Sequence, residues 1–291
     1  DVQAIYQNAP QFRLRFDEAV GATGFKDDAG GLVAQCTPPG CPMAGVAGQY
    51  GHAAEFDGVD DVAFVATGVT RSDSQFTTGL WMRSDGANGQ ASTLLARPDL
   101  VVRVEPSQKV SLSVCTGDSV NGVRYQGASR AALIPNAWNH IMITFDQGQA
   151  DSTQRLRLFL NGALDSTLTG APGPCAHDPF LFLGGNLFER PYRGRLDEVT
   201  LYNSALTARE VSDIYHYQAA WVQEEQTQRL TIDADAPVST LRSLPVGQAA
   251  YLPNRDMVMD IRASDHTSRV ALAELGVNGT WLPAPPCQDS Q

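Results

Sequence analysis

The sequence predicts an all-β protein with one short helix, and three observations support this fold class. Short runs of alternating apolar and polar residues are separated by Gly, Asn, Asp and Pro along most of the chain, a pattern typical of antiparallel strands joined by turns. Asn161-Gly162 marks a hairpin, and Thr207 to Glu210 marks the start of a helix.

The hairpin is the most specific strand prediction. Alternating runs flank Asn161-Gly162, a dipeptide that tolerates positive φ at both central positions of a type I′ turn. A separate strand that precedes the hairpin carries Ile141, Ile143 and Phe145 on one face and is predicted to be half-buried. Further strands are predicted at 11–16, 53–56, 63–66, 76–83, 93–97, 101–105, 110–115, 180–184 and 195–202.

One helix stands out against these strands. Thr207-Ala-Arg-Glu210 is a capping box, in which the Thr and Glu side chains satisfy main-chain amides of the first turn. An apolar stripe follows at the spacing of one helix face, formed by Val211, Ile214 and Tyr215. We expect the helix to end near residue 217.

Length and charge restrict the organisation and the partners. A chain of 291 residues suits one large domain plus a smaller one. Its net charge of −11 repels phosphate backbones and anionic lipid, so nucleic acid and membrane surfaces are disfavoured as partners and cations are favoured. No apolar run reaches the length of about 18 residues that a membrane-spanning helix needs, which argues against membrane insertion.

The pattern changes at about Arg229. Residues 1–225 are assigned to the large β domain, and residues 226–291 continue as alternating strands. This second segment is too short for a complete immunoglobulin-like domain. It is therefore expected to be a truncated or atypical small β domain with a sandwich-like arrangement.

The five cysteines favour an oxidising, extracytoplasmic compartment. Cys36 and Cys41 enclose a Pro-Pro-Gly turn and are predicted to form a disulfide, with free or metal-bound thiols as the alternatives. Cys115 and Cys175 lie in or beside predicted strands and are expected to form a second bridge. Cys287 remains as the odd cysteine, and its partner is expected outside this sequence.

Five segments in order resemble the laminin G-like, concanavalin A-like jelly rolls. They are Ala54 to Val62, Phe76 to Arg83, Leu133 to Ile141, Leu158 to Gly162, and Gly194 to Val199. The resemblance covers roughly residues 10 to 217 and implies a two-sheet antiparallel jelly-roll sandwich in an extracellular protein, often with one calcium ion at its rim. The tail, with its Ala263-Ser264-Asp265 step, is more faintly similar to bacterial immunoglobulin-like modules.

A calcium site is expected from this resemblance, because the fold would bring an early Asp-Gly loop, the Phe-Asp-Gly turn and the last strand together. The expected ligands are oxygen donors, as calcium requires; they are Asp28, Asp57, the carbonyl of Gly58, Asp197 and Glu198. The alternative is that Asp57 closes a turn and that Asp197 accepts hydrogen bonds from loop amides.

A second candidate site is the loop that precedes the last strand. Its side chains could stack on a sugar ring or bind its hydroxyl groups; they are Asn186, Phe188, Arg190, Tyr192 and Arg193. The favoured alternative is that Phe188 and Tyr192 pack inward and order the loop.

Catalytic arrangements are weakly supported. Glu55, Asp57 and Asp60 imitate the acid spacing of some concanavalin A-like glucanases, but the turn at Gly58 would separate carboxylates that a retaining glycosidase holds about 5 Å apart. The sequence contains no Gly-x-Ser-x-Gly elbow. None of the five histidines has metal-ligand spacing, and His140 is expected to face solvent or a polar pocket.

The resemblance favours a non-enzymatic binding or adhesion module of a larger secreted or cell-surface protein. Its expected ligand is a glycan or an extracellular protein, its expected stabilising cofactor is calcium, and further domains of the parent chain are its neighbours. Two alternatives stay open. The domain is a structural spacer that binds nothing, or it is a carbohydrate-active enzyme or the accessory domain of one.

Overall fold

The chain divides into two compact units, residues 1–228 and 229–291. The computed structural model describes residues 10–86, 89–117, 121–175, 180–185 and 191–216, and a short hairpin at 276–277 and 280–281. In the second unit the described part is this hairpin of two antiparallel strands. Apart from this hairpin, residues 226–291, including the odd Cys287, lie outside the described residues, so the immunoglobulin-like domain and the partner of Cys287 remain predictions.

The first unit is a sandwich of two antiparallel sheets. Its strands are β1 Phe12–Leu14, β2 Gly24–Lys26, β3 Val33–Gln35, β4 Met43–Ala47, β5 His52–Asp57, β6 Ala63–Val65, β7 Gln75–Ser84, β8 Ser92–Arg97, β9 Leu100–Val104, β10 Val110–Thr116, β11 Val123–Ala128, β12 Asn139–Asp146, β13 Leu156–Leu160, β14 Ala163–Leu168, β15 Gly170–Pro172, β16 Leu181–Leu183 and β17 Arg193–Tyr202. The second unit contributes β18 Gly276–Val277 and β19 Thr280–Trp281. The predicted all-β class is therefore confirmed.

The two sheets differ in strand order. The eight-stranded sheet runs β14-β13-β12-β7-β17-β5-β4, with β1 also paired to β17. The nine-stranded sheet runs β15-β11-β10-β9-β8-β16-β6-β3-β2. Among the described residues, no helix is both long and apolar enough to cross a membrane.

The core lies between the sheets and is built by the inward side of each alternating strand. Phe12, Phe56, Phe76 and Phe145 are almost completely buried there with leucines and valines of the facing sheet. This interdigitation of two inner faces is the usual way in which packed sheets remove apolar surface from water.

The predicted hairpin forms as expected. Asn161 and Gly162 have φ values of 49° and 78°, and Leu160 pairs with Ala163, so the two central residues take the left-handed conformation of a type I′ turn. Glycine is also required by space, because a Cβ at residue 162 would lie 2.7 Å from the ring of Tyr215.

The capping box is also confirmed. The Glu210 carboxylate accepts the Thr207 amide at 2.7 Å, and the Thr207 hydroxyl accepts the Glu210 amide at 3.2 Å. Helix α1 then spans 208–216 of the described residues. It packs on the outer face of the eight-stranded sheet, where Val211 and Ile214 are buried beside Met142, Phe159 and Tyr202.

This helix explains one wrong prediction. Strand β12 was expected to be half-buried, but seven of its eight residues are buried. The side that faces away from the core carries Met142, which lies in the cluster beneath α1. Periodicity within a strand predicts one buried face, and it cannot indicate that a later helix covers the other.

Both predicted disulfides are present. Cys36 is bonded to Cys41 and Cys115 to Cys175, with Cα atoms 5.0 and 5.5 Å apart. The first closes a short loop that contains the cis Pro38-Pro39 peptide. In this loop the Gly40 carbonyl accepts the Val62 amide at 3.2 Å, so it lies beside the turn that follows β5.

Candidate functional site

Strand β17 positions the two acidic residues predicted near the rim. It lies between β7 and β5 and also pairs with β1. The pairing with β7 shifts between Asp197 and Thr200, and Glu198 has a φ of 50°. Because this irregularity interrupts the alternation of the strand, the adjacent carboxylates of Asp197 and Glu198 are both buried, with exposed fractions of 0% and 2%.

The Glu198 carboxylate forms an ion pair with Arg13 of β1. Its Oε2 accepts Arg13 Nε at 3.0 Å and Nη2 at 2.9 Å. Only 1% of the Glu198 side chain is exposed. Two charge-assisted hydrogen bonds to one carboxylate oxygen make a strong contact, so Glu198 links β17 to β1.

Asp197 lies under the turn between β4 and β5. Its Oδ2 accepts the Tyr50 amide at 2.8 Å. A Cβ built on Gly48 would collide with both Asp197 Oδ2 and the His52 carbonyl oxygen, which shows that these two oxygens converge on one spot. Asp17 approaches the same turn, because its Oδ1 accepts the His52 amide at 3.1 Å.

A second group of carboxylates occupies the turn after β5. Oxygens of Asp57, Asp60 and Asp61 all lie within 4.8 Å of one another. Asp57 Oδ1 accepts the Val59 amide at 2.7 Å, and Asp61 Oδ2 accepts the Asp57 amide at 2.7 Å. Burial, together with the neighbouring charges of Asp57 and Asp60, raises the pKa of Asp61 to about 6.

The structure distributes the five predicted calcium ligands over separate places. Asp57 and Gly58 lie in the turn after β5, where Arg193 is the strand partner of Asp57. Asp197 is four residues further along β17, about 13 Å away at the usual strand rise. Glu198 is held by Arg13. The five ligands are therefore not brought together as one site.

Asp28, the remaining predicted ligand, points elsewhere. Its Oδ2 lies 2.9 Å from Arg15 Nε. The preceding Asp27 is the completely buried residue of this loop and accepts the amides of Arg13, Ala29 and Gly30 at 2.8 to 3.0 Å. Asp27, which was not among the predicted calcium ligands, is therefore the residue that orders this loop.

Asp17, Asp60 and Asp61 were not among the predicted ligands. The acidic run from Asp57 to Asp61 is visible in the sequence and could have suggested that cluster. Asp17 carries no such signal, because it is close to His52 only through the pairing of strands that are distant in sequence.

The predicted ligand loop is only partly described. Asn186, Phe188 and Arg190 lie outside the described residues. Tyr192 is 1% exposed, its ring centroid lies 6.2 Å from that of Phe56, and its hydroxyl donates to the Arg83 carbonyl at 2.7 Å. For Tyr192 the packing alternative is therefore correct and a ligand-stacking role is not.

Burial raises the pKa of Tyr192 well above its ordinary value. Its hydroxyl therefore stays a hydrogen-bond donor at neutral pH. Arg193, the last of the predicted ligand residues, is exposed at the start of β17.

His140 does not face solvent, contrary to the prediction. It is 2% exposed, and its ring centroid lies 5.0 Å from that of Trp81 and 5.9 Å from that of Tyr215. Burial lowers its pKa to about 3. The histidine is thus a neutral part of the packing between β12 and α1.

Glu55, the first acid of the glucanase-like spacing, is held by Arg195. Its Oε2 accepts Arg195 Nε at 3.0 Å and lies 2.9 Å from Nη2. Glu55 and Arg195 are direct strand partners on β5 and β17. The two hydrogen bonds hold the carboxylate in a fixed orientation against β17.

Comparison with known families agrees with this architecture. A profile of the concanavalin A-like lectin/glucanases superfamily matches residues 56–212, more than half of the chain. The chain belongs to this superfamily. A comparison with curated protein sequences found no match.

Solved structures share the fold of this superfamily member at low sequence identity. Domain 4 of the GH43 extracellular arabinanase AbnA from Geobacillus stearothermophilus, in complex with arabinotriose, is 19% identical, with a TM-score of 0.51 over 71% of this chain and 98% of that domain. The binding domain of Paraclostridial Mosquitocidal Protein 1 is 18% identical, with a TM-score of 0.54 over 73% of this chain and 53% of that one.

The botulinum neurotoxin serotype G binding domain is 14% identical, with a TM-score of 0.50 over 72% of this chain and 51% of that one. This chain therefore spans almost all of the arabinanase domain and about half of each toxin binding domain. At these identities the likeness establishes the fold.

Proposed function

We propose that this chain is a non-enzymatic, extracytoplasmic binding module of a larger secreted or surface protein, with a glycan as the favoured ligand and a protein as the alternative. Membership of a superfamily of lectins and glucanases leaves two main activities, sugar binding and sugar hydrolysis. The contacts of Glu55 support the first of them.

The ion pair of Glu55 with Arg195 carries the proposal. Hydrolysis by a pair of carboxyl groups needs one of them protonated as the acid while the other acts as the nucleophile or base. Glu55 Oε2 is instead engaged by Arg195 Nε and Nη2 at 3.0 and 2.9 Å, so this side chain serves the pairing of β5 with β17. Asp57 is engaged as the acceptor of its own turn. These contacts support binding over catalysis.

The solved relatives support a glycan as ligand. The arabinanase domain, which this chain covers almost completely, was solved with arabinotriose. The other two relatives are binding domains by name. The two disulfides support an oxidising compartment.

Calcium is proposed as a stabilising ion beneath the turn between β4 and β5. The Asp197 carboxylate and the His52 carbonyl converge there, and Asp17 contacts the same turn. This mixture of carboxylate and main-chain oxygens suits a hard cation. When bound, the ion would supply positive charge to the buried Asp197 and hold the turn against β17.

Calorimetric titration with arabinotriose and other neutral oligosaccharides, run beside an assay for released reducing ends, tests the function. Saturable sugar binding without product is the expected result. Product that disappears in Glu55→Gln would show an enzyme. Failure to bind any sugar, together with binding to an extracellular protein, would move the function to the protein-ligand alternative. Failure to bind either class would leave the spacer interpretation.

A further inference from the structure

One row of side chains crosses the outer face of the nine-stranded sheet. Strand pairing places its members side by side; they are Phe64, Phe182, Ala96, Val101, Ser113 and Gln126. Directly paired residues of antiparallel strands lie on the same face of a sheet. The row spans five strand spacings, about 24 Å.

The neighbours of the row show that it faces away from the core. Ala63 and Val65 flank Phe64, and Leu181 and Leu183 flank Phe182. All four belong to the buried core cluster. Since side chains alternate between the faces of a strand, both phenylalanines must lie on the outer surface.

Three phenylalanines form what we call the aromatic platform: Phe64, Phe180 and Phe182. The rings of Phe64 and Phe182 are stacked at 4.5 Å with 25° between their planes. Phe180 meets Phe182 edge-on at 5.4 Å and lies 6.3 Å from Phe64. Each ring is only partly buried. Clustered aromatic surface of this kind, outside the core, is characteristic of binding sites.

Polar groups lie further along the same row. Gln126 Nε2 donates to the Ser113 hydroxyl at 3.3 Å, and Gln126 is exposed. Between these groups and the platform lie Val101 and the small Ala96, which is 3% exposed. The row thus combines an aromatic surface, the small apolar side chains of Ala96 and Val101, and the amide and hydroxyl of Gln126 and Ser113.

The charge of this row restricts its partner. None of its six side chains is charged, although the chain as a whole carries −11. Arg124 borders the row and donates to the Ser113 hydroxyl at 3.5 Å, whereas the row's own side chains offer a ligand no charge and the net charge of −11 repels an anion. An uncharged ligand that has both an apolar face and hydroxyl groups matches it best.

We infer that the aromatic platform and the Ser113–Gln126 pair form the binding site for a neutral oligosaccharide lying across the strands. A sugar ring packs its C–H face on Phe64 or Phe182 while the next units place hydroxyls at Ser113 and Gln126. The inference rests on the proposed glycan-binding function and moves its site from the loop before β17 to the nine-stranded sheet.

Substitutions on the row provide the test. Phe182→Leu keeps apolar bulk and removes the ring, Phe64→Leu does the same on the neighbouring strand, and Gln126→Ala removes an exposed amide. Leu164→Ala, at a half-exposed residue on the edge of the other sheet, is the matched control. The probes are arabinotriose and a panel of neutral oligosaccharides, titrated by calorimetry, with a thermal melt of each variant.

Wild-type protein and Leu164→Ala should bind the same sugar with equal affinity. Phe182→Leu should raise Kd about tenfold and Gln126→Ala roughly fivefold, with the melting temperature of Gln126→Ala unchanged. If Phe182→Leu does not fold, Phe64→Leu and Gln126→Ala decide the question. Full affinity in the row variants that fold would overturn this site and leave the proposed function intact. Absence of sugar binding in the wild type would overturn both.

Discussion

Asp197 Oδ2 accepts the main-chain amide of Tyr50 at 2.8 Å, and this bond joins the last strand of the sandwich to the turn between β4 and β5. The carboxylate is completely buried. A buried negative charge needs several compensating dipoles or a cation. The Tyr50 amide is one such donor, and calcium is proposed as an additional partner.

Asp197→Asn tests this calcium site. Asparagine retains an acceptor for Tyr50 but lacks the charge that a divalent cation requires. At a hundredfold excess of calcium over its Kd, wild-type protein should melt about 6 °C or more above its melting temperature in chelator. Asp197→Asn should show no such rise.

Asp57→Asn is the matched control for that experiment, since Asp57 belongs to the turn after β5. It should keep the calcium-dependent rise. A rise that is lost in Asp57→Asn and kept in Asp197→Asn would place the ion among Asp57, Asp60 and Asp61. No rise in the wild type would end the calcium proposal.

Burial of His140 should make the protein sensitive to acid. Its pKa is about 3 in the folded state and about 6.5 when unfolded. Between these values only the unfolded chain takes up the proton, so the free energy of unfolding falls as the pH drops below 6.5, by about 1.4 kcal/mol per pH unit. Urea denaturation at pH 7 and pH 4.5 measures the effect.

His140→Phe should reduce the loss of stability between pH 7 and pH 4.5 by about 2–3 kcal/mol. His216→Gln, at an exposed residue of α1, serves as the control and should retain the wild-type slope. An unchanged slope in His140→Phe would mean that the histidine becomes protonated in the folded protein.

The ionisation of Asp61 should change stability with pH in the opposite direction to that of His140. Its pKa is about 6 in the folded protein and near 3.8 when unfolded, so the folded state binds the proton more tightly. The stabilisation from this protonation is present at low pH and is lost as the pH rises through 6. Asp61→Asn, which keeps an acceptor for the Asp57 amide, should therefore raise the melting temperature at pH 7 in chelator.

At pH 4.5 the same substitution should give a smaller gain, about a third of that at pH 7, because the folded carboxyl is then neutral while the unfolded one is still mostly ionised. Asp213→Asn on the exposed side of α1 controls for the general loss of negative charge. An equal melting-temperature gain at both pH values would contradict the assigned pKa.

The two disulfides should contribute unequally to stability. Cys115–Cys175 joins residues 60 apart, whereas Cys36–Cys41 joins residues 5 apart. A disulfide stabilises the folded protein by reducing the conformational entropy of the unfolded chain, and this effect grows with loop length. It is expected to contribute about 4 kcal/mol to the free energy of unfolding for the longer loop and about 2 kcal/mol for the shorter one. Paired Cys→Ser variants, compared by denaturant unfolding, should keep this order. A larger loss from the short loop would indicate that it matters mainly through its contacts beside Val62.

Local signals in the sequence were sufficient for much of the fold. Asn161-Gly162 specified its turn because positive φ at two successive residues suits few other dipeptides. The Thr207–Glu210 capping box specified the start of α1 because both partners lie within one helical turn. Both disulfides and the two-sheet class were also predicted correctly.

The acidic sites were harder to predict, because they depend on register between distant strands. Asp57 and Asp197 lie on neighbouring strands, yet four residues of offset separate them. Glu198 is buried through the irregularity in β17 and is matched by Arg13 from the beginning of the domain. His140 was misplaced because α1, which covers it, follows much later in the chain. The sequence identifies the residue types, and the pairing decides which of them meet.

The central place of β17 has a consequence for synthesis. This strand is the last among the described residues of the first unit, yet it separates β5 from β7 and also pairs with β1. A ribosome-bound chain that has not yet exposed residues 193–202 therefore has a gap in the middle of one sheet, with the partner edges unpaired. We expect the domain to assemble only after this segment emerges, so that the nascent chain depends until then on protection from aggregation.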